Sequence, residues 1–188
     1  MLCPLQGAMR FGERAVGGCG RVGVRSPRAH GVLRARARWV DCMSEPIARP
    51  TALAHVRVTV TDIARSKAFY QQLLGSDPVI DFSDQVDEPG IREDQARFYG
   101  GCVFQLGDQV FGLRPVAPAG QRFDSTTVGL DHVSFVLGSV DELHEAATRL
   151  DAAGIEHGEV TELGDAGMTI LSVQDPDDIN LEFAARIG

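Results

Sequence analysis

Two stretches of the chain, 77 residues apart, carry one alternation of apolar and polar side chains. His55-Val-Arg-Val-Thr-Val60 and His132-Val-Ser-Phe-Val136 both place a hydrophobic residue at every second position, the period of a strand with one buried face. Each run then changes to a helical spacing. Thr61-Asp62 caps the segment that ends at Gly75, and Ser139 caps the one that ends at Gly154, so the two helices correspond with a small slip. Beyond the first helix the pattern predicts strands over 78–82, 96–106 and 109–115, the last two joined by a Gly107-Asp108 turn. Beyond the second it predicts strands over 155–160, 168–173 and 179–184, the last two joined by the Asp-Pro-Asp-Asp turn at 175–178. One supersecondary unit is written twice. The fold class this implies is α+β with two tandem βαβββ modules, module one over 52–116 and module two over 128–187, within a domain of 51–188. The Pro- and Gly-bearing stretch 116–127 is the linker, and the polar excursion 83–95 is read as a lid.

Residues two apart on a strand share a side, so the alternation also assigns faces. His55, Arg57 and Thr59 lie opposite Val56, Val58 and Val60, and His132, Ser134 and Val136 lie opposite Val133 and Phe135. Near the C-terminus Asn180, Glu182 and Ala184 lie opposite Leu181 and Phe183. If the two halves fold as equivalent units, His55, His132 and Glu182 can meet at one divalent metal ion. Two imidazoles and a carboxylate suit Fe, Zn, Mn or Ni, and open positions on the metal let a small-molecule substrate bind through paired oxygens, or O2 bind beside it.

Charge divides the chain. Residues 1–50 hold nine arginines against Glu13, Asp41 and Glu45, a balance of +6; with −8 for the whole chain, residues 51–188 carry −14. So acidic a domain argues against nucleic acid as its partner. Over 1–42 no hydrophobic period is sustained, and a disordered Arg-rich extension is expected for 1–50. It reads as a transit peptide, as a basic arm, or as a segment upstream of a natural start at Met43. No apolar run nears the ~18 residues of a membrane span, and no apolar h-region follows a basic start, so neither membrane insertion nor export is expected. Cys102, the one cysteine of the globular part, cannot build a disulfide framework, and a cytoplasmic location follows as the expectation.

Three motifs, H-V-x-V-x-V-x-D from His55, G-L-D-H-V-S-F from Gly129 and D-P-D-D-I-N-L-E-F from Asp175, make residues 51–187 resemble the vicinal oxygen chelate superfamily of glyoxalases, bleomycin-resistance proteins and extradiol dioxygenases. The resemblance implies a glyoxalase-like fold, in which two modules form an open, barrel-like cleft with metal ligands on the first and last strands of each. Module one departs from that pattern. Matching Phe111/Leu113 with Leu181/Phe183 sets Gly112 at the place of Glu182, and another register sets Leu113 there; neither can ligate a metal. The implied site is His55, His132 and Glu182 with open positions. The implied function is that of a metal-dependent lyase, isomerase or dioxygenase, with a metal-free binding or resistance protein of the bleomycin-resistance type as the alternative. Small members of the superfamily pair, some exchanging modules so that one cleft draws on two subunits, and a homodimer is expected.

Further candidates come from the cleft side. Arg57 and Arg114 share it and are read as substrate-binding, a clamp for a carboxylate or phosphate. Tyr99, in F-Y-G-G, and His157, in I-E-H-G, are the candidates for acid/base catalysis. His144 is read as solvated and Cys102 as a small buried strand residue. The chain has no serine or cysteine triad signature, P-loop or dinucleotide fingerprint.

Overall fold

Asp62 and Ser139, the two helix caps, are separated by the same 77 residues as the two histidines, and both act as the alternation predicts. The Asp62 carboxylate accepts the Arg65 backbone N–H at 3.0 Å, and the Ser139 hydroxyl accepts that of Glu142 at 3.2 Å. The computed structural model describes residues 47–188, so the extension expected over 1–50 lies outside the described residues except for 47–50, which are exposed.

Module one runs β1 (His55–Thr59), α1 (Ile63–Leu74), β2 (Ile80–Asp81), β3 (Cys102–Leu106) and β4 (Gln109–Arg114). Module two runs β5 (Val133–Val136), α2 (Val140–Ala153), β6 (Thr161–Leu163), β7 (Met168–Gln174) and β8 (Asn180–Arg186). The sheets are ordered β1-β4-β3-β2 and β5-β8-β7-β6, with first and last strands parallel in each. The α+β fold of two tandem βαβββ units is therefore the one expected. Gly75 and Gly154 end the helices with φ of 66° and 68°, a left-handed conformation that a Cβ would oppose.

The helix-side faces of both sheets feed one core. Val58, Phe104, Phe111 and Leu113 of the first sheet and Val133, Leu171, Leu181 and Phe183 of the second are buried together with Tyr70 of α1 and Leu143 and Leu150 of α2. Phe111 meets Phe135 edge to face, with ring centroids 5.6 Å apart, across the module boundary. Because both sheets spend their helix sides here, their other faces look outward. His55, Arg57 and Thr59 are exposed, as are Ser134 and Val136.

The Asp-Pro-Asp-Asp turn does more than reverse the chain. Asp175 accepts the Tyr70 hydroxyl of α1 at 3.0 Å and the backbone N–H groups of Asp177 and Ile179 at 2.8 and 2.9 Å. Asp177 takes the Thr61 N–H at 2.7 Å and pairs with Arg65 at 2.5 Å. Two acidic side chains of module two thereby hold the start and middle of α1 in module one.

Three expectations are corrected. The strand expected from residue 96 begins at Cys102, since Gln95–Gly100 forms a 3-10 segment in which Phe98 and Tyr99 take φ of 51° and 62°. The chain then passes so close to β4 that a Cβ on Gly101 would lie 2.0 Å from the Leu113 carbonyl oxygen. Gly101→Ala is expected to lower stability by about 2 kcal/mol or more, read as a fall in the urea midpoint. The strand expected at 155–160 is reduced to one bridge, His157 to Val173, with regular pairing only at Thr161–Leu163. There Ile155 N–H is already committed to the Leu150 carbonyl at the end of α2. The excursion read as a lid is pinned: Ile91 is 1% exposed, Arg92 bonds the Pro115 carbonyl, and Arg97 pairs with Glu88 at 2.7 Å and Asp94 at 2.8 Å.

Candidate functional site

His132 stands one residue before β5 and Glu182 in the middle of β8, and both line a cavity of about 500 Å³ with Asp131, His157, Ser172 and Asn180. Each is oriented by a neighbour. The His132 Nδ1 lies 2.6 Å from the Asp131 carboxylate, and the Ser134 hydroxyl donates to Glu182 Oε1 at 2.8 Å. A carboxylate beside Nδ1 favours the neutral imidazole tautomer with the proton on Nδ1 and the lone pair on Nε2, the tautomer that a metal ion takes. Glu182 Oε2 has no hydrogen-bond partner among the described residues. Asp131 was in view in L-D-H-V, where an acid beside a candidate ligand is the sequence signal for an orienting partner.

His55 shares a narrower cavity of about 200 Å³ with His132, but Glu182 is not on its wall. Among the described residues no three His, Cys, Asp or Glu side chains are grouped to hold a metal ion. One chain thus brings the three expected ligands together only in pairs. The shared core explains this: helix-side faces meet inside, so the ligand-bearing faces of the two sheets are not opposed within one chain.

The other candidates lie on both open faces. His157 is 14% exposed at its side chain; its Nδ1 lies 2.7 Å from the Gly158 carbonyl and its Nε2 3.3 Å from Asp151. In module one, strand register sets Arg57 beside Gly112 and Thr59 beside Arg114. In module two it sets Ser134 beside Glu182, and Ser134 is the repeat equivalent of Arg57, so Gly112 and Glu182 are equivalent positions. The room Gly112 leaves is taken by Arg57, whose Cγ and Nε lie 3.4 Å from where a Cβ would stand. Arg114 packs its guanidinium over Tyr99, 3.8 Å from the ring centre, and Arg57 lies 5.5 and 5.8 Å from the rings of Phe98 and Tyr99. Phe98 had no part in the sequence reading. Cys102 is buried in β3, which pushes its thiol up to about 12 and leaves it unreactive at neutral pH.

Two tandem βαβββ units, each with its first and last strands paired in parallel, define a glyoxalase-like class of fold. Over residues 52–183 the chain matches the model of the glyoxalase/bleomycin resistance protein/dioxygenase superfamily, and it belongs to that superfamily. A solved glyoxylase/bleomycin resistance protein/dioxygenase domain from Frankia sp. EAN1pec is 25% identical, with a TM-score of 0.57 over 73% of this chain and 93% of that one. Lactoylglutathione lyase from Agrobacterium tumefaciens is 19% identical, TM-score 0.53, over 73% and 96%. The fosfomycin resistance protein FosX from Listeria monocytogenes, solved as a variant with Mn(II) and 1S,2S-dihydroxypropylphosphonic acid, is 17% identical, TM-score 0.55, over 73% and 94%. A search of curated proteins finds no match. Among the described residues no helix is long and apolar enough to cross a membrane.

Proposed function

We propose that the chain is a metal-dependent enzyme acting on a small substrate bound through adjacent oxygens, by lyase, isomerase or dioxygenase chemistry. The observation that carries this is the pair His132 and Glu182 on one cavity wall, each already oriented by a hydrogen-bonding neighbour. Their donor chemistry fits Fe, Zn, Mn or Ni. His55 is the third ligand, delivered by a second copy of the chain in a homodimer, as in paired members of the superfamily; its exposure at the edge of module one supports this. FosX, on the same fold, holds Mn(II) with a small oxygen-rich ligand.

When bound, the metal supplies Lewis-acid polarisation of a substrate oxygen or a place for O2. The chain's own groups do the rest. Arg57 and Arg114 hold the substrate, and Tyr99 and His157 move protons, His157 through the Nε2 whose contact with Asp151 is long. Cys102, the one cysteine among the described residues, is buried and free, which suits a reducing cytoplasm.

Elemental analysis of the purified full chain is expected to find about one divalent ion per subunit. Iron with O2 consumption on substrate addition assigns dioxygenase chemistry; zinc, manganese or nickel assigns lyase or isomerase chemistry. A chain that arrives metal-free and takes up none of the four ions on titration overturns the proposal in favour of a metal-free binder of the bleomycin-resistance type.

A further inference from the structure

The geometry points to the substrate class: Arg57 and Arg114 form a receptor for an oxoanion, so the molecule taken is a small acid whose carboxylate, phosphonate or phosphate lies beside its chelating oxygens. This rests on the proposed metal site for the chelating oxygens, but the anion receptor stands on its own observations.

First, the two cations are unpaired in a domain rich in acid. Residues 51–188 carry a net −14, and of their basic side chains Arg65, Lys67, Arg97, Arg122 and Arg149 are each in an ion pair with a carboxylate, Arg92 bonds the Pro115 carbonyl, and Arg186 is exposed to water at the end of β8. Arg57 and Arg114 have neither a carboxylate partner nor a side-chain hydrogen bond among the described residues. The Arg114 Nε is buried without a partner. Unpaired guanidinium groups on one face, in a chain with 23 carboxylates to choose from over the same residues, mark a place kept for an anion from outside.

Second, the two groups are held by rings instead of acids. Tyr99 contacts both guanidinium groups and Phe98 contacts Arg57. A ring face attracts a guanidinium without taking up its N–H groups as a carboxylate would, and those N–H groups are what match the two oxygens of a carboxylate or phosphate. The platform has been built at a cost. Phe98 and Tyr99 both sit in the left-handed region, where bulky side chains are rare, and strain of this kind collects at ligand sites. Gly100 and the closely packed Gly101 fix the turn that aims both rings.

Third, module one lacks the carboxylate that would neutralise the receptor. A glutamate at position 112, equivalent to Glu182, would stand against Arg57; glycine there lets the arginine chain lie across the strand instead. Arg57 is two residues from His55 on the same face of β1, roughly 7 Å along the strand. A small substrate spans that distance.

The test is calorimetric titration of the full chain, stripped of metal by a chelator, with inorganic phosphate, methylphosphonate and propionate in turn at low ionic strength. Saturable binding of at least one is expected, and the tightest of the three tells a phosphorus oxoanion from a carboxylate. Arg57→Met, at an exposed position, is expected to weaken it about tenfold or more, and Arg57→Lys to weaken it less. Tyr99→Leu is expected to weaken it without removing either charge, and His132→Ala to leave it unchanged. Absence of saturable binding by all three anions, or binding that Arg57→Met leaves intact with the circular dichroism spectrum also intact, overturns the receptor whatever the metal content. Retention of metal by His132→Ala overturns the metal site and leaves the receptor standing.

Discussion

His132→Ala protein is expected to keep its fold and lose its metal. The imidazole is exposed just before β5 and takes no part in the core, whereas the next residue, Val133, is buried and is left untouched. Removal of one ligand of three leaves a site that competes poorly with water and buffer, and metal content should fall from about one ion per chain to a small fraction of that. Elemental analysis beside far-ultraviolet circular dichroism reads both quantities; full metal occupancy in the variant ends the assignment of His132. A second measurement asks where His55 comes from. His55→Ala and His132→Ala chains, each metal-free, are mixed and allowed to exchange subunits. If one site draws His55 from one subunit and His132 with Glu182 from the other, each mixed dimer regains one intact site, about a quarter of all sites at equal mixing. A set drawn from one chain regains none.

Asp175→Ala is expected to cost about 3 kcal/mol, enough to bring the urea midpoint down sharply. Its carboxylate is buried and accepts three hydrogen bonds, from Tyr70 and from the Asp177 and Ile179 amides, all of which would be left without their acceptor. Asp175→Asn keeps the amide acceptor and should be far milder. The pH dependence separates charge from hydrogen bonding. Burial pushes the Asp175 carboxyl above its ordinary 3.8, against the lowering effect of its hydrogen bonds. The folded state therefore holds this proton longer than the unfolded chain does, and the contribution of Asp175 to stability is full below pH 3.8 and lost as pH rises through the higher folded value. The Asn variant lacks that loss. Its stability relative to the parent should improve from acid to neutral pH; a constant difference across that range would mean that Asp175 does not titrate differently on folding.

The repeat, both helices, their caps and the division of β1, β5 and β8 into two faces were legible because they rest on short-range rules. A period of two, a side chain that accepts from the backbone three residues on, and a glycine where φ turns positive are all written locally. The candidate site was legible to the same depth: His132, Glu182 and their shared face follow from alternation on β5 and β8. Misreadings began where a distant partner overrides local preference. Phe98 and Tyr99 are strong strand formers, yet they turn left-handed just before Gly101 packs against the distant Leu113 carbonyl, a contact with no local signature. Ile155 to Val160 was misread for a nearer reason: its apolar ends fall on opposite sides of a strand, and its first amide closes α2 through the Leu150 carbonyl. The meeting of His55 with His132 and Glu182 failed to appear in one chain for the distant kind of reason. Which sides of two sheets face each other is set by where the whole core condenses, and Tyr70 reaching Asp175 across 105 residues of sequence has no local signature.

The guanidinium lying across Gly112 also constrains how this protein can change. Introducing glutamate at that position by a single substitution would set the new acid against Arg57, and the two would neutralise each other before the acid could serve a metal. A fourth ligand becomes accessible only after Arg57 has been lost, and losing Arg57 first forfeits half of the anion grip. On the proposed function the halves of the duplication divide the work, module two giving His132 and Glu182 to the metal and module one giving it only His55 while keeping two arginines for an anion, and the intermediate between the two arrangements is the poorer molecule on either side, which makes the division hard to reverse one codon at a time.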